Sequence, residues 1–149
     1  RTRFRDMQII RHPRVDASFT VPIADERFAF CEVDYQTNWP AFNRDCTQIV
    51  DAAKTQTQLS ENVDEGDDRY IYLSCLPWIH FTSMYNPFMD AQDCIPRIIW
   101  GRIDRKQDRW TMPVCIEVHH ALVDGAHLGQ FFQQLEEVIQ KLPEEIGLS

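Results

Sequence analysis

Two adjacent histidines near the C-terminal end of the chain are the residues best suited to proton transfer. His119 and His120 end a β-branched run, and an Asp-Gly pair at 124–125 follows. Histidine exchanges protons most readily near neutral pH, and it acts as a base only when its ring is held in one tautomer. A strand end followed by a tight turn holds a ring rigidly, and glycine adopts turn conformations that other residues resist. The string His-His-x-x-x-Asp-Gly therefore predicts an acid–base site.

Short strands and two amphipathic helices must position these residues. Strands are indicated where β-branched and aromatic residues alternate with polar ones. Helices are indicated where apolar residues recur at three- and four-residue spacing, from 38 to about 59 and from 126 to 142. The pattern predicts a mixed α/β domain in which strands outnumber helices. The predicted strands are 7–10, 17–23, 28–33, 70–75, 95–103 and 111–119, with an acidic loop at 60–69, an extended segment at 79–83 and a charged turn at 104–108.

Length and composition narrow the class of protein. The chain has 149 residues, of which 44% are hydrophobic and 11% aromatic, and this fits one domain with a substantial core. Its formal net charge of −8 argues against a nucleic-acid partner, because phosphate binding needs a basic face. Basic residues cluster at the N-terminus and between Arg97 and Arg109, where they favour a small anionic ligand such as a nucleotide-bearing cofactor.

Neither a membrane span nor a metal site is predicted. No apolar run is long enough to cross a bilayer, and the first residues lack a signal-peptide pattern. The five cysteines are scattered and include no Cys-x-x-Cys pair, which favours reduced thiols in a cytoplasmic protein. The chain opens without Met on a strand-like run, so we expect it to be a fragment of a longer protein.

The segment 116–125 resembles the active-site signature of the chloramphenicol acetyltransferase family. The acyltransferase cores of 2-oxo-acid dehydrogenase complexes share this signature in a modified form, but the double histidine and Leu-Pro-Trp at 76–78 are closer to the chloramphenicol enzymes. Further likeness lies in 17–21, in 74–78 followed by 81–83, and in Met112-Pro113. We place the family assignment on the C-terminal two-thirds of the chain, with likeness traceable from residue 6 to residue 142.

The resemblance implies a fold and an assembly. The fold is α/β (α+β), a two-layer mixed-sheet sandwich of the CoA-dependent acyltransferase type, and residues 1–149 form a single acyltransferase domain that lacks its N-terminal portion. The assembly is a homotrimer with active sites at subunit interfaces. A chain taken out of such a trimer is expected to expose apolar side chains.

The resemblance also implies a reaction and a role for each matching residue. Acetyl passes from acetyl-CoA to a hydroxyl of a small molecule, with chloramphenicol the expected acceptor, in a ternary complex without a metal. His120 is the general base, and the Ser74 hydroxyl stabilises the oxyanion of the tetrahedral intermediate. Asp124 supports the turn by pairing with an arginine from the N-terminal region. Trp78 and Arg102 lie near the pantetheine and phosphate parts of coenzyme A.

The chain departs from the family pattern in two respects. Ile99 stands where some members place a threonine that positions a water near the intermediate, and isoleucine cannot do this. The first third of the family pattern, which supplies part of the acceptor pocket and the arginine partner of Asp124, does not match any segment of this sequence. Acceptor identity is therefore expected to depend largely on residues outside the chain.

Other interpretations stay open at this stage. His119 and His120 alone are typical of half-buried structural histidines, Trp78 of a core residue and Arg102 of a surface residue. The same mechanism can act on a different alcohol, or the protein can be a dehydrogenase-complex acyltransferase core. From another class, it can be a catalytically silent assembly module of the same fold, although such a module has no need of His120, Asp124 and Ser74 together.

Overall fold

The chain divides into two compact units. The computed structural model describes residues 1–56, 67–88 and 90–145. The first unit is Arg1–Val118 and the second is His119–Ser149. In chain order the elements of the first unit are β1 (Thr2–Arg5), β2 (Gln8–Arg11), β3 (Asp16–Pro22), β4 (Phe28–Val33), α1 (Trp39–Lys54), β5 (Tyr70–Leu76), β6 (Arg97–Gly101), β7 (Asp104–Lys106), β8 (Arg109–Thr111) and β9 (Val114–Glu117), and the second contains α2 (Gly125–Glu145).

A five-stranded mixed sheet forms the centre of the first unit, in the order β4-β3-β5-β6-β9. The pairs β3–β5 and β5–β6 are parallel, whereas β3–β4 and β6–β9 are antiparallel. The pairs β1–β2 and β7–β8 form two separate hairpins. The predicted mixture of helix and predominant strand is confirmed in the described part of the chain.

One face of this sheet is covered by α1. The period-two alternation of β3 and β4 sends alternate side chains to that face, where Ala29 and Cys31 are almost completely buried against Ala53 of the helix. Burial of these apolar side chains stabilises the packing of helix on sheet. The residues that complete this core are Phe19, Val21, Ile23, Ile49 and Val50.

The start of α1 agrees with the prediction, but its end does not. The Asn38 side-chain oxygen accepts a hydrogen bond from the Ala41 amide at 2.9 Å, which is the expected N-cap contact. The helix was predicted to continue to about residue 59 and instead ends at Lys54. It ends there because Thr55 turns back on the last turn, with its hydroxyl donating to the Ala52 carbonyl at 2.7 Å. The rest of the predicted end, 57–59, lies outside the described residues.

Prolines account for the strands that are shorter than predicted. Pro96 has no N–H to donate, and β6 begins after it at Arg97. The strand predicted over 111–119 is interrupted at Pro113, so β8 and β9 are separate elements. The charged turn predicted at 104–108 is confined to 107–108, where Gln107 has a φ of 55°, because residues 104–106 form a strand that pairs with 109–111.

The remaining predictions differ less from the structure. Residues 79–83, expected to be extended, contain no strand. The second helix, predicted over 126–142, is longer by a few residues at its ends. Of the acidic loop predicted at 60–69, residues 67–69 have no regular structure and 60–66 lie outside the described residues.

A buried arginine ties the N-terminal hairpin to the sheet. The Arg3 side chain is only 1% exposed, and its guanidinium donates to the carbonyl oxygens of Asp68 at 2.6 Å and Tyr70 at 2.7 Å. Burial lowers the pKa of Arg3 because the charged form loses water. These hydrogen bonds compensate for that loss and fix the point at which the chain enters β5.

Several large apolar side chains are exposed in the single chain. Met7, Trp78, Tyr85 and Trp110 each have more than two-thirds of their surface exposed, at 85%, 71%, 78% and 71%. In α2, Phe132, Val138 and Ile139 are also exposed. This exposure agrees with the expectation for a subunit taken out of an assembly, and the homotrimer itself stays a prediction.

Gly101 marks the closest approach between β6 and the segment that follows β5. A Cβ at this position would lie 2.5 Å from the Ile79 carbonyl oxygen and 2.8 Å from Cγ of Pro113. The Gly101 amide donates to the Pro113 carbonyl at 3.0 Å, and the neighbouring Arg102 amide donates to Ile79 at 2.8 Å. A side chain is therefore excluded by the ring of Pro113 and by the Ile79 carbonyl, which cannot move without breaking its hydrogen bond to Arg102.

We predict that Gly101→Ala lowers the free energy of unfolding by about 1–3 kcal/mol, because the added methyl overpacks this contact. Gly129→Ala is the matched control, since a Cβ there meets nothing within 4 Å. It lies inside α2 and is expected to raise the stability by up to about 1 kcal/mol. Urea unfolding of both variants measures the difference, and equal effects would contradict the close approach at Gly101.

Candidate active site

The two histidines lie in a turn that follows β9. The His119 carbonyl accepts hydrogen bonds from the Leu122 amide at 2.9 Å and the Val123 amide at 3.2 Å. The His119 ring also faces this turn, since its Nδ1 lies 3.3 Å from the Ala121 amide nitrogen. His120 is exposed, and its ring makes no hydrogen bond to any residue that the structure describes. His119 therefore maintains the turn, while the His120 ring is accessible to another molecule.

Asp124 caps α2. Its carboxylate accepts a hydrogen bond from the His127 amide at 3.1 Å and lies 2.7 Å from Nδ1 of the same histidine. The His127 amide is the main cause of a pKa for Asp124 below the ordinary aspartate value, and the His127 ring adds to it. The arginine partner implied by the family resemblance is not among its contacts in the described chain.

Gly125 does not adopt the turn conformation, resisted by other residues, for which the sequence analysis expected a glycine. It is the first residue of α2 and does not have a left-handed φ, and a Cβ there meets nothing within 4 Å. The tight turn predicted at this point is instead a helix start capped by Asp124. A capped helix start is still a rigid support for the preceding turn.

Ser74 lies on β5, opposite β6. In the register of the sheet, Ser74 of β5 is paired with Ile99 of β6, and Ile99 is paired in turn with Cys115 of β9. Ser74 is half-buried, and its hydroxyl has no hydrogen-bond partner among residues 1–56, 67–88 and 90–145. Ile99 is only 3% exposed, so it fills space beside Ser74 and supplies no polar group. The Ser74 hydroxyl is thus free to donate to a bound molecule.

Ser74 opens into a cavity of about 970 Å³ within the first unit. The cavity lies on the sheet face that does not carry α1, and residues within 86–87 and 90–95 form its opposite wall. Aromatic and aliphatic side chains line much of it, as is typical of small-molecule sites. Members of this lining from the sheet are Ser18, Thr20, Phe30, Glu32, Tyr70, Tyr72, Ser74, Arg97 and Ile99.

Two residues of β9 hold the start of that opposite wall. The Asn86 amide lies 3.0 Å from each of the two carboxylate oxygens of Glu117, and the Asn86 side-chain nitrogen also donates to Glu117. The Cys115 thiol donates to the Met84 carbonyl at 3.5 Å. The sequence reading missed these contacts, because a single Glu or Cys in a strand carries no signal for a partner some thirty positions earlier.

Trp78 and Arg102 lie beside the Gly101 contact. Trp78 is exposed in the turn that follows β5, and Arg102 follows β6 directly. Arg102 forms an ion pair with Asp104, with Nε 2.9 Å from Oδ1. The Arg102 side chain lowers the pKa of Asp104 below its ordinary value. The structure therefore brings Trp78 and Arg102 to one region of the surface, and their contact with coenzyme A stays a prediction.

Other site types find no support in the described part of the chain. Over that part, no three or more His, Cys, Asp and Glu side chains are arranged to hold a metal ion. None of its helices combines the length and apolar character that a membrane crossing requires. Its five cysteines are free thiols.

Similarity to solved structures defines the fold class. A chloramphenicol acetyltransferase structure superposes with a TM-score of 0.83 at 24% identity, covering 92% of this chain and 67% of the other. The dihydrolipoamide acetyltransferase of Azotobacter vinelandii superposes with a TM-score of 0.68 at 14% identity. The match covers 97% of this chain and 62% of the other. The chain therefore has the mixed-sheet α+β fold of the CoA-dependent acyltransferases, as predicted.

Similarity of sequence defines the family. The family model described as chloramphenicol acetyltransferase matches residues 1–136, and the chain belongs to this family. Chloramphenicol acetyltransferase 3 of Escherichia coli is 26% identical over 93% of this chain and 65% of its own length. The chloramphenicol acetyltransferase of Clostridium perfringens is 27% identical over 89% of this chain and 61% of its own length. The chain thus spans less than two-thirds of these relatives.

The extent of the match corrects one prediction. We had placed the family assignment on the C-terminal two-thirds of the chain, but the matching region begins at residue 1. The signature at 116–125 was recognisable because its chemistry is confined to ten consecutive residues.

We predict that Asp124→Ala weakens the start of α2 and alters the pH dependence of stability. A carboxylate whose pKa is lowered by folding stabilises the protein fully above its unfolded pKa, and this contribution is lost as the pH falls through the folded pKa. The stability difference between wild type and variant should therefore shrink from pH 7 towards acid. Asp108→Ala, in the β7–β8 turn, is the control with a fully exposed carboxylate. Urea unfolding across pH tests this, and parallel curves for both variants would refute it.

Proposed function

We propose that the protein containing this chain transfers the acetyl group of acetyl-CoA to a hydroxyl of a small molecule, with chloramphenicol as the first acceptor to test. The family match over residues 1–136 carries this proposal. It is supported by His120 and Asp124 within the segment 116–125 that resembles the family signature, and by Ser74 beside the Leu-Pro-Trp of 76–78. Acetyl-CoA acts as a co-substrate, and the proposed reaction gives no role to a metal.

His120 is the general base in the proposed reaction. It removes the acceptor's hydroxyl proton as the oxygen attacks the thioester carbonyl carbon, and a tetrahedral intermediate forms. Collapse of this intermediate breaks the carbon–sulfur bond, and the leaving thiolate takes the proton from His120. Both substrates are bound together, so no acyl-enzyme is needed. The exposed, unpaired ring of His120 supports this role.

Ser74 stabilises the negative charge that develops on the thioester oxygen. Its hydroxyl has no partner in the described chain and lines the cavity, so it can donate to an oxyanion without first breaking another hydrogen bond. A donor held ready in this way contributes more than one that must reorient during the reaction. The cavity on this side of Ser74 receives the acceptor alcohol.

The coenzyme end of the site includes Trp78 and Arg102. An exposed indole provides a flat apolar surface for the pantetheine arm, and a guanidinium suits a phosphate group. Arg102 is already paired with Asp104, so phosphate binding must displace or share that carboxylate. This competition favours only moderate binding through Arg102.

The active protein is proposed to be a cytoplasmic homotrimer in which His120 serves the cavity of a neighbouring subunit. The exposed apolar side chains support burial in an assembly. The free thiols of all five cysteines in the chain support a reducing compartment.

Two alternatives differ from this proposal, one in the acceptor alcohol and the other in having no catalytic activity. The same mechanism can act on another alcohol, because part of the family pattern lies outside this chain. A catalytically silent assembly module of the same fold would show no acceptor-dependent loss of acetyl-CoA. The likeness to dihydrolipoamide acetyltransferases, at 13–14% identity, shows the fold alone and does not favour their reaction.

The test follows free CoA thiol when full-length protein is mixed with acetyl-CoA and chloramphenicol. We expect acceptor-dependent thiol release, and His120→Ala should reduce kcat by about 10²–10⁴-fold because the base is lost. His119→Asn is the comparator, since it keeps a hydrogen-bond acceptor for the Ala121 amide and should lose much less. A greater loss in His119→Asn than in His120→Ala would reverse the assignment of the base. Absence of release with every alcohol from correctly folded protein would favour the silent module.

A further inference from the structure

Arg97 is a buried cation in the wall of the cavity. It is the first residue of β6, is 8% exposed, and lines the cavity together with Ser74. Its guanidinium forms a two-fold contact with the Asp93 carboxylate, with Nη1 3.2 Å from Oδ1 and Nη2 2.5 Å from Oδ2. Nη1 also donates to the Ile95 carbonyl at 3.1 Å. These contacts fix the guanidinium in one orientation.

Aromatic rings restrict the same group further. Cζ of Arg97 lies 4.5 Å from the ring centroid of Phe88 and 5.5 Å from that of Tyr72. Cation–π contacts of this kind stabilise a cation that has lost most of its water. The guanidinium is thus held by Asp93, by a backbone carbonyl and by two rings before any ligand binds.

One edge of the guanidinium remains unused. Arginine has five N–H donors, and three of those of Arg97 are engaged by Asp93 and Ile95. The remaining N–H groups, on Nε and Nη2, point in parallel from one edge of the guanidinium plane. Within the described chain, the one fully buried side-chain polar atom without a partner is Oε1 of Gln56. Nε of Arg97 is not such an atom, and because Arg97 lines the cavity, this edge is available to an acceptor bound there.

The register of the sheet relates this edge to the proposed reaction. Arg97 pairs with Tyr72, and the next residues on the same face, Ile99 and Ser74, pair two positions further along. Two residues of a strand span about 7 Å. A molecule in the cavity can therefore contact Arg97 with one group while another of its groups lies near Ser74.

The charge of the cavity decides which group suits Arg97. Asp93 already neutralises this arginine, and Arg5 is similarly paired with Asp68 at 2.7 Å. The lining also contains Glu32 and Asp90, which form no ion pair in the described residues. An anionic ligand would therefore meet an excess of carboxylates, whereas an uncharged oxygen can accept from the free edge without that repulsion.

We propose that Arg97 selects the acceptor by donating from its Nε/Nη2 edge to an uncharged carbonyl oxygen of the acceptor alcohol, such as that of an amide or a ketone. The carbonyl lies at the Arg97 end of the cavity, and the hydroxyl that receives the acetyl group lies towards Ser74. This inference rests on the proposed function, because Ser74 marks the reacting end of the cavity. Arg97 is here a specificity-determining residue and takes no part in bond making.

The test compares two alcohols of equal size that differ in one group, an amide carbonyl in the first and a methylene in the second. With the full-length protein we expect kcat/KM to favour the amide by about tenfold or more, because a site built to donate to an oxygen rejects an analogue that lacks it. In Arg97→Lys the preference should fall to near unity. Lysine keeps a positive charge beside Asp93 but has no counterpart of the parallel N–H groups on Nε and Nη2.

Controls separate specificity from damage to the fold. The exposed Arg105→Lys should keep the wild-type preference and the wild-type kcat for the methylene alcohol, whereas in Arg97→Lys the KM for acetyl-CoA should change less than about twofold. If Arg97→Lys does not fold, the double variant Arg97→Met with Asp93→Leu removes both charges while keeping volume. It should also lose the preference.

The outcomes distinguish this inference from the proposed function. Acetyl transfer with an unchanged amide preference in the Arg97 variants would overturn the inference and leave the function intact. A preference for an alcohol bearing a carboxylate would overturn the choice of an uncharged oxygen. If no alcohol is acetylated, the proposed function fails. Calorimetric Kd values for the two alcohols then test Arg97, and equal Kd values for wild type would overturn its role.

Discussion

The pairing of β6 with strands on both of its sides is the constraint on which the rest of the site depends. β6 is parallel to β5 and antiparallel to β9, and its residues Arg97, Ile99 and Gly101 are buried. A shift of its register by one residue would exchange the two faces of the strand. Ser74 would then lose its place beside Ile99, and Gly101 would be displaced from its close contact with the Ile79 carbonyl.

Backbone hydrogen bonds hold the proposed catalytic groups, so their side chains remain free for substrate. Ser74 is fixed by the sheet, and His120 lies in a turn closed by the His119 carbonyl and followed by a helix that Asp124 caps. A reaction that depends on the position of a hydroxyl and an imidazole benefits from supports of this kind, because reorganisation during the reaction is avoided. Arg97 differs from Ser74 and His120 because its side chain is itself restrained, by Asp93 and by two aromatic rings.

Sequence reasoning succeeded where the signal is local. Strand β4 was predicted with its observed bounds because apolar and polar residues alternate from Phe28 to Val33, and the Asn38 cap was recognisable from its type. The hairpin at 104–111 was missed because charged residues obscured the alternation. The cavity, the Asn86–Glu117 contact and the environment of Arg97 join residues that are distant in sequence, and a single sequence contains no record of such pairings. The assignments of His120, Ser74, Trp78 and Arg102 rest on family likeness and stay predictions.

Subunit complementation is the sharpest test of whether Ser74 of one chain and His120 of a neighbour serve the same active site. Full-length His120→Ala and Ser74→Ala proteins are unfolded, mixed in equal amounts and refolded together, with wild type treated in parallel. The account predicts recovery of about a quarter of the wild-type rate of thiol release, because one site in four of a random trimer combines both intact groups. Activity that stays at the level of the separate variants, while wild type refolds to full activity, would contradict it.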